Sequence, residues 1–135
     1  MKSITFFLLF FMAGCLGDYK NDMGNGYTFA RTNTDNHSII NEGQSIIVTT
    51  NITRYVFNGD WIIGYRKFSK NSDDPSSKQP EGYFVLKTSN GGLSLGIDEN
   101  DMKAFILDKE LNSQKFQICV MRNCNPVDSA LEIFQ

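Results

Sequence analysis

The chain has 135 residues and a formal net charge of −2, with hydrophobic residues at 41% and aromatic residues at 13%. That is enough apolar material for one packed domain, too little length for two, and too many aromatics for a disordered chain. The slight acidity speaks against a nucleic-acid partner, which would require a basic face.

The first fifteen residues carry the most specific signal. Lys2 is followed by the apolar run Ile4-Thr5-Phe6-Phe7-Leu8-Leu9-Phe10-Phe11-Met12 and then by Ala13-Gly14-Cys15. A charged start, an apolar core and small residues before a processing point are the layout of a secretory signal. The run is about half the ~20 residues that a membrane-spanning helix needs. Met12-Ala13-Gly14-Cys15 resembles the lipobox of bacterial lipoproteins. The resemblance implies cleavage before Cys15, diacylglycerol on its thiol, and the membrane as a partner through the acyl chains on Cys15. Each buried methylene contributes about 0.8 kcal/mol and stable anchoring takes more than one chain, a condition that a diacylated or triacylated cysteine meets. Leu16 follows the cysteine where Asp would mark retention. The pattern implies the outer membrane in a Gram-negative host and the outer face of the cytoplasmic membrane in a Gram-positive one. Cleavage removes Lys2 alone among the charged residues, so the charge becomes −3 on the remaining chain.

Residues 15–25 are polar and contain Gly17 and Gly24, and they read as a lipidated tether after a signal peptide at 1–14. Residues 26–135 read as a single domain. Tyr27 and Phe29 open a strand; residues 32–37 are a Thr/Asn/Asp turn; Ile39-Ile40 and Ile46-Ile47-Val48 are β-branched runs separated by Asn41-Glu42-Gly43. Thr53 to Phe57 is a further strand. Asn58-Gly59 is a hairpin signal, because both residues tolerate positive φ. Trp61-Ile62-Ile63-Gly64-Tyr65-Arg66 follows, with Trp61, Ile63 and Tyr65 on one face and Ile62, Gly64 and Arg66 on the other. This strand is expected near the middle of the sheet. Residues 69–81 hold Pro75 and Pro80 without a large apolar group and read as a polar loop. Gly82 to Thr88 resumes as a strand, Ser89-Asn90-Gly91-Gly92 turns it, and Leu93 to Ile97 leads to Asp98, a plausible N-cap followed by Glu99 and Asp101. Lys115 to Met121 is strand-like, and Pro126 to Gln135 reads as a final strand or short helix. The expected fold is α+β: an antiparallel β-meander of five to seven strands with one principal helix, about 99–111, packed on it.

At about 100° per residue, that helix has two apolar sides. Met102, Phe105 and Ile106 form one; Ala104, Leu107 and Leu111 form nearly the opposite one. The expectation is that Val127, Leu131, Ile133 and Phe134 close over the second side. The sharper alternative is that Ala104, Leu107 and Leu111 are an exposed partner-binding patch. Trp61 beside Tyr65 is a further candidate, able to stack on a sugar or anchor a protein partner, although a Trp in a central strand usually serves the core.

Cys119 and Cys124 remain after lipidation. In an oxidising compartment the pair is most simply a disulfide. Redox pairs usually have two intervening residues rather than four, and a metal site would need more ligands than His37, which is distant in sequence. His37 is also the lone histidine available to a nucleophilic mechanism, and it has no evident partner. Asp73-Asp74 and the group Asp98, Glu99 and Asp101 are carboxylate pairs that suit solvation and helix capping better than acid–base work. No phosphate loop, calcium loop or zinc spacing occurs, and no cofactor is expected.

Gly17-Asp18-Tyr19, Gly26-Tyr27, Trp61-Ile62-Ile63, Tyr83-Phe84-Val85-Leu86 and Leu95-Gly96-Ile97 before an acidic helix resemble a set of small bacterial lipoproteins. Their shared domain has no assigned function, so the likeness implies a fold and no site residue. The functional expectation is a membrane-anchored, non-catalytic binding module at the cell envelope. The alternatives are an immunity or inhibitor lipoprotein that neutralises a toxin or hydrolase, and a small envelope enzyme.

Overall fold

Among the described residues, ten strands and one α-helix are arranged in three layers. The structure is a computed structural model and describes residues 19–33, 36–49, 51–67, 79–120 and 123–135. The expected signal segment, Cys15 and residues 69–78 of the expected polar loop 69–81, with Asp73 and Asp74, lie outside the described residues. The fold is α+β, as expected, but its strands divide between two antiparallel sheets.

The first sheet is a four-stranded meander of β1 (Tyr19–Gly24), β2 (Tyr27–Asn33), β3 (Asn36–Ile40) and β4 (Ile46–Val48). The second has six strands in the order β10-β9-β5-β6-β7-β8. Its members are β5 (Ile52–Phe57), β6 (Trp61–Arg66), β7 (Gly82–Lys87), β8 (Gly92–Ile97), β9 (Phe116–Val120) and β10 (Asn123–Val127). The expected hairpins are present. Asn58 Oδ1 accepts from the amides of Asp60 at 3.0 Å and Trp61 at 2.9 Å, and Gly59 has φ 92°.

Strand β1 corrects the tether assigned to residues 15–25. Tyr19 to Gly24 pair with β2, and Met23 is buried. The stretch looks polar because its inward positions include Asn21, whose amide donates to the Tyr55 hydroxyl at 2.7 Å across the gap between the sheets.

Two cores follow from strand alternation. Met23, Phe29, Ile39 and Val48 of the first sheet meet Ile52, Tyr55, Ile62, Phe84 and Leu86 of the second. On the other face of the six-stranded sheet, Val56, Ile63 and Val85 meet Met102 and Ile106 of the helix α1 (Glu99–Asp108). The six-stranded sheet is thus covered on both faces, and β6 lies near its centre. Gly64 is what lets Phe84 lie flat on that strand, since a Cβ there would stand 2.4 Å from Phe84 Cζ.

Helix α1 starts as expected, with Asp98 Oδ1 accepting from the Asp101 amide at 2.8 Å. It ends a turn early, because Glu110 adopts the left-handed conformation with φ 57°. The chain reverses there into a 3₁₀ turn, Leu111–Ser113, and Leu111 swings into the second core beside Phe116, Ala130 and Ile133. The C-terminal 3₁₀ helix, Ala130–Phe134, packs on the same core. Arg54 Nη1 holds it by donating to the carbonyls of Ile133, at 3.0 Å, and of Gln135.

Both sheets share two ends. At one, Tyr19 pairs with Arg31 and Arg31 with His37; His37 Nδ1 lies 3.0 Å from the Ile52 carbonyl, and Ile52 pairs with Arg66 and Arg66 with Gly82. At the other, Asn25 Nδ2 donates to Gly59 O at 2.8 Å and Thr88 Oγ1 at 2.9 Å, joining three hairpin turns.

Candidate functional site

The residues singled out from the sequence fall in different places. Cys119 and Cys124 are directly opposed on β9 and β10 and form the disulfide, with 4.1 Å between Cα atoms. The four candidate partner-binding residues do not form one surface. Leu111 is 1% exposed and belongs to the core, because Glu110 turns the chain before the helix reaches it. Ala104 and Leu107 remain exposed, Leu107 at 54%, and the C-terminal segment packs beside the helix without closing over Leu107. Trp61 is partly buried on another flank, edge-on to Phe105 at 5.5 Å, with Lys87 Nζ 5.5 Å above its ring. His37 bridges the two sheets, its ring 5.8 Å from Phe29.

A different set of residues converges at the end of the six-stranded sheet where β6, β7 and β8 meet helix α1. A trough of about 560 Å³ is lined by Tyr65, Glu81, Gly82, Tyr83, Gly96, Ile97, Asp98 and Glu99. Tyr65 faces the helix side of β6, and Tyr83 is its register partner on β7. Neighbouring positions on one face of a sheet bring rings together. Here the centroids are 4.9 Å apart at 67°, edge to face. Tyr83 meets Phe134 in the same way at 5.1 Å and 62°. The result is a row of three rings, Tyr65, Tyr83 and Phe134, with the trough on one side and a smaller hollow of about 230 Å³, bounded by Thr53 and Arg54, on the other.

Two glycines allow the chain to approach itself closely beside the trough. A Cβ on Gly82 would lie 3.0 Å from the Ile97 carbonyl, and one on Gly96 would lie 2.9 Å from Pro80 Cγ. Both have positive φ, 134° and 67°. The pairing of β7 with β8 also shifts register between Tyr83 and Val85, beside the trough.

The trough carries three carboxylates along its wall. Glu81, Asp98 and Glu99 all line it, and none of its described lining residues is basic. Tyr65 donates its hydroxyl to Glu81 Oε1 at 3.2 Å. Burial, then the Glu81 contact, raises the Tyr65 phenol above its ordinary value. Burial, then the Glu99 charge, raises Tyr83 in the same direction, with Arg54 and Lys103 opposing. Both rings therefore stay neutral at physiological pH. Glu99 also pairs with Lys103 at 3.1 Å, and Lys103 Nζ lies 5.1 Å from the Phe134 ring centroid. The trough thus offers ring surface, phenol hydroxyls, carboxylates and bare backbone. A second concavity, about 540 Å³ and lined by Lys20, Asp22, Asn25, Thr28, Glu42 and neighbours, has no aromatic wall.

No protein-family model, curated protein or solved structure matches the chain. The sequence singles out Tyr65 as a contact candidate but not Tyr83, Glu81, Gly82 or Gly96. The usable signal is a strand with Tyr65 next to its end followed by one with Tyr83 next to its start, which antiparallel pairing brings opposite each other.

Proposed function

We propose that the chain is a bacterial lipoprotein precursor, anchored through acyl chains on Cys15, whose domain is a non-catalytic binding module at the cell envelope. The lipobox-like Met12-Ala13-Gly14-Cys15 supports the anchoring. The observation that carries the binding reading is the Tyr65–Tyr83 trough, a fixed arrangement of aromatic and acidic groups. Aromatic residues with a polar tip provide large contact area at small entropic cost. In this reading the trough replaces the outer helix face as the contact surface.

The test has two parts. Mass spectrometry of the exported protein should find acyl chains on Cys15 and none after Cys15→Ala; acylation that persists in the variant rejects the anchoring. A soluble chain starting at Leu16 should capture a stoichiometric partner from envelope extract. Capture should fail for Tyr65→Ser/Tyr83→Ser and persist for Leu107→Asp. Loss with Leu107→Asp alone would return the contact surface to the helix. A tight one-to-one complex with a toxin or hydrolase would make the module an immunity or inhibitor lipoprotein.

A further inference from the structure

We propose that two copies of this chain pair edge to edge through strand β8, so that their six-stranded sheets become one continuous sheet. The proposal goes beyond the binding reading above and does not depend on it. The two sheets end in β1, β4, β8 and β10. An open edge offers amides and carbonyls to another chain, and proteins blunt such edges with charges, proline or shortness. Strand β1 carries Lys20 and Asp22, β4 is three residues long, and β10 contains Pro126. Strand β8, Gly92-Leu93-Ser94-Leu95-Gly96-Ile97, has six residues and neither a charge nor a proline. One side of it pairs with β7, and no described strand pairs with the other.

The order of residues in β8 selects a second copy as the occupant. Gly92 to Gly96 reads the same in both directions about Ser94. Two antiparallel copies related by a two-fold axis at Ser94 therefore match like with like, as a self-complementary interface requires. Ser94 meets its own copy, each Leu93 meets the other copy's Leu95, and each Gly92 meets the other copy's Gly96. Leu93 and Leu95 are partly buried against the core between the sheets, and pairing extends that core by a row of leucines from both copies. Ser94 is exposed and pairs with Val85, so it lies on the helix side. No charged residue occurs from Ser89 to Ile97, so no like charges are opposed. From Ser94 to Ile97 the strand takes one more step than β7 takes from Val85 to Tyr83, and Gly96 has φ 67°. This bulge confines regular pairing to the Leu-Ser-Leu centre and makes the dimer a weak, reversible one. The two-fold axis stands perpendicular to the joined sheet, which puts the four-stranded sheets of both copies on one side. With the anchoring proposed above, both tethers leave from that side, so two copies can pair within one membrane.

The experiment is sedimentation equilibrium of the chain starting at Leu16, which contains every described residue. A dimer should form with a Kd on the order of 100 µM, as a small interface gives. Ser94→Lys opposes two ammonium groups at the two-fold axis and Ser94→Glu opposes two carboxylates, so either variant alone should raise Kd at least about tenfold. An equimolar mixture of the two should recover a mixed dimer within about threefold of the wild-type Kd. Ser94→Cys should link to its own copy under mild oxidation, because opposed residues stand within disulfide reach, whereas Ser89→Cys in the hairpin turn should not. Cysteine is close to serine in size, so the crosslink decides even where a charged variant fails to fold. A monomer throughout the range, a dimer indifferent to Ser94→Lys, no recovery on mixing, or equal linking of Ser89→Cys would overturn the proposal. Partner capture through Tyr65 and Tyr83 is read separately, so the loss of either conclusion leaves the other standing.

Discussion

Gly64→Ala tests whether the six-stranded sheet is packed on both faces as described. The new Cβ would lie 2.4 Å from Phe84 Cζ and 2.7 Å from Cε1. Carbon atoms in contact stand about 3.5–4.0 Å apart, so the ring must retreat by roughly 1 Å. Phe84 is 0% exposed, and a close-packed core has no space to receive it. Overpacking of this kind costs about 1–3 kcal/mol, offset by about 0.4–1 kcal/mol from the reduced freedom of alanine in the unfolded chain. The expected net loss is about 1–2 kcal/mol. Phe84→Leu alone should also destabilise, through lost burial. In the double variant the ring that clashes is gone, so its cost should fall short of the sum by about 1 kcal/mol or more. Urea unfolding followed by Trp61 fluorescence would measure this. With a slope of about 1–3 kcal/mol/M, a 2 kcal/mol change moves the midpoint by about 1 M. Wild-type stability for Gly64→Ala, or additivity of the two changes, would refute the packing.

Three further outcomes follow from named contacts. Leu111→Asp places an unpaired carboxylate in the second core and should cost more than about 4 kcal/mol, whereas Leu107→Asp on the exposed flank should stay within about 0.5 kcal/mol; circular dichroism melts of the two variants would show it. The Cys119–Cys124 bond should make both thiols inert to alkylation until reduction, and its loss should cost about 2 kcal/mol for so short a loop, read from denaturation with and without reductant. Tyr55 is pushed well above the ordinary tyrosine value of 10.0, first by burial, with the Asn21 hydrogen bond opposing. A group whose folded pKa is raised stabilises fully below its unfolded pKa and loses that contribution as pH rises through the folded value. Stability should therefore fall with pH above 10.0, and Tyr55→Phe should flatten that fall in a denaturant series across the alkaline range while costing about 1 kcal/mol at neutral pH.

Much of the framework was legible because it rests on local chemistry. Asn58-Gly59, the Asp98 cap and the opposed cysteines each act within a few residues of themselves. The division into two sheets was not legible. Alternation identifies which residues share a face, but not which other sheet covers that face. The available sign was Trp61-Ile62-Ile63, apolar at successive positions, which fits a strand buried on both sides. Strand β1 was hidden because Asn21 occupies an inward position whose partners, the Tyr55 hydroxyl and Cys124 Sγ, are distant in sequence. The early helix end was hidden because Glu110, and not glycine or asparagine, takes the left-handed conformation. The trough depends on the pairing of Tyr65 with Tyr83 and of Tyr83 with Ile97, relations between strands that no single segment reveals.

The start of β1 at Tyr19 bounds how far the domain could stand from an anchor at Cys15. With lipid on Cys15, as proposed, four residue steps separate the anchor from the first paired residue. Extended chain covers about 3.3–3.6 Å per residue, so this leash is at most about 14 Å long. Under that proposal the end of the sandwich that holds Tyr19, Arg66 and Gly82 is tethered within that distance of the anchor, and the Asn25–Gly59 turns lie at the opposite end, about 20 Å along the strands. The tyrosine trough opens at the tethered end.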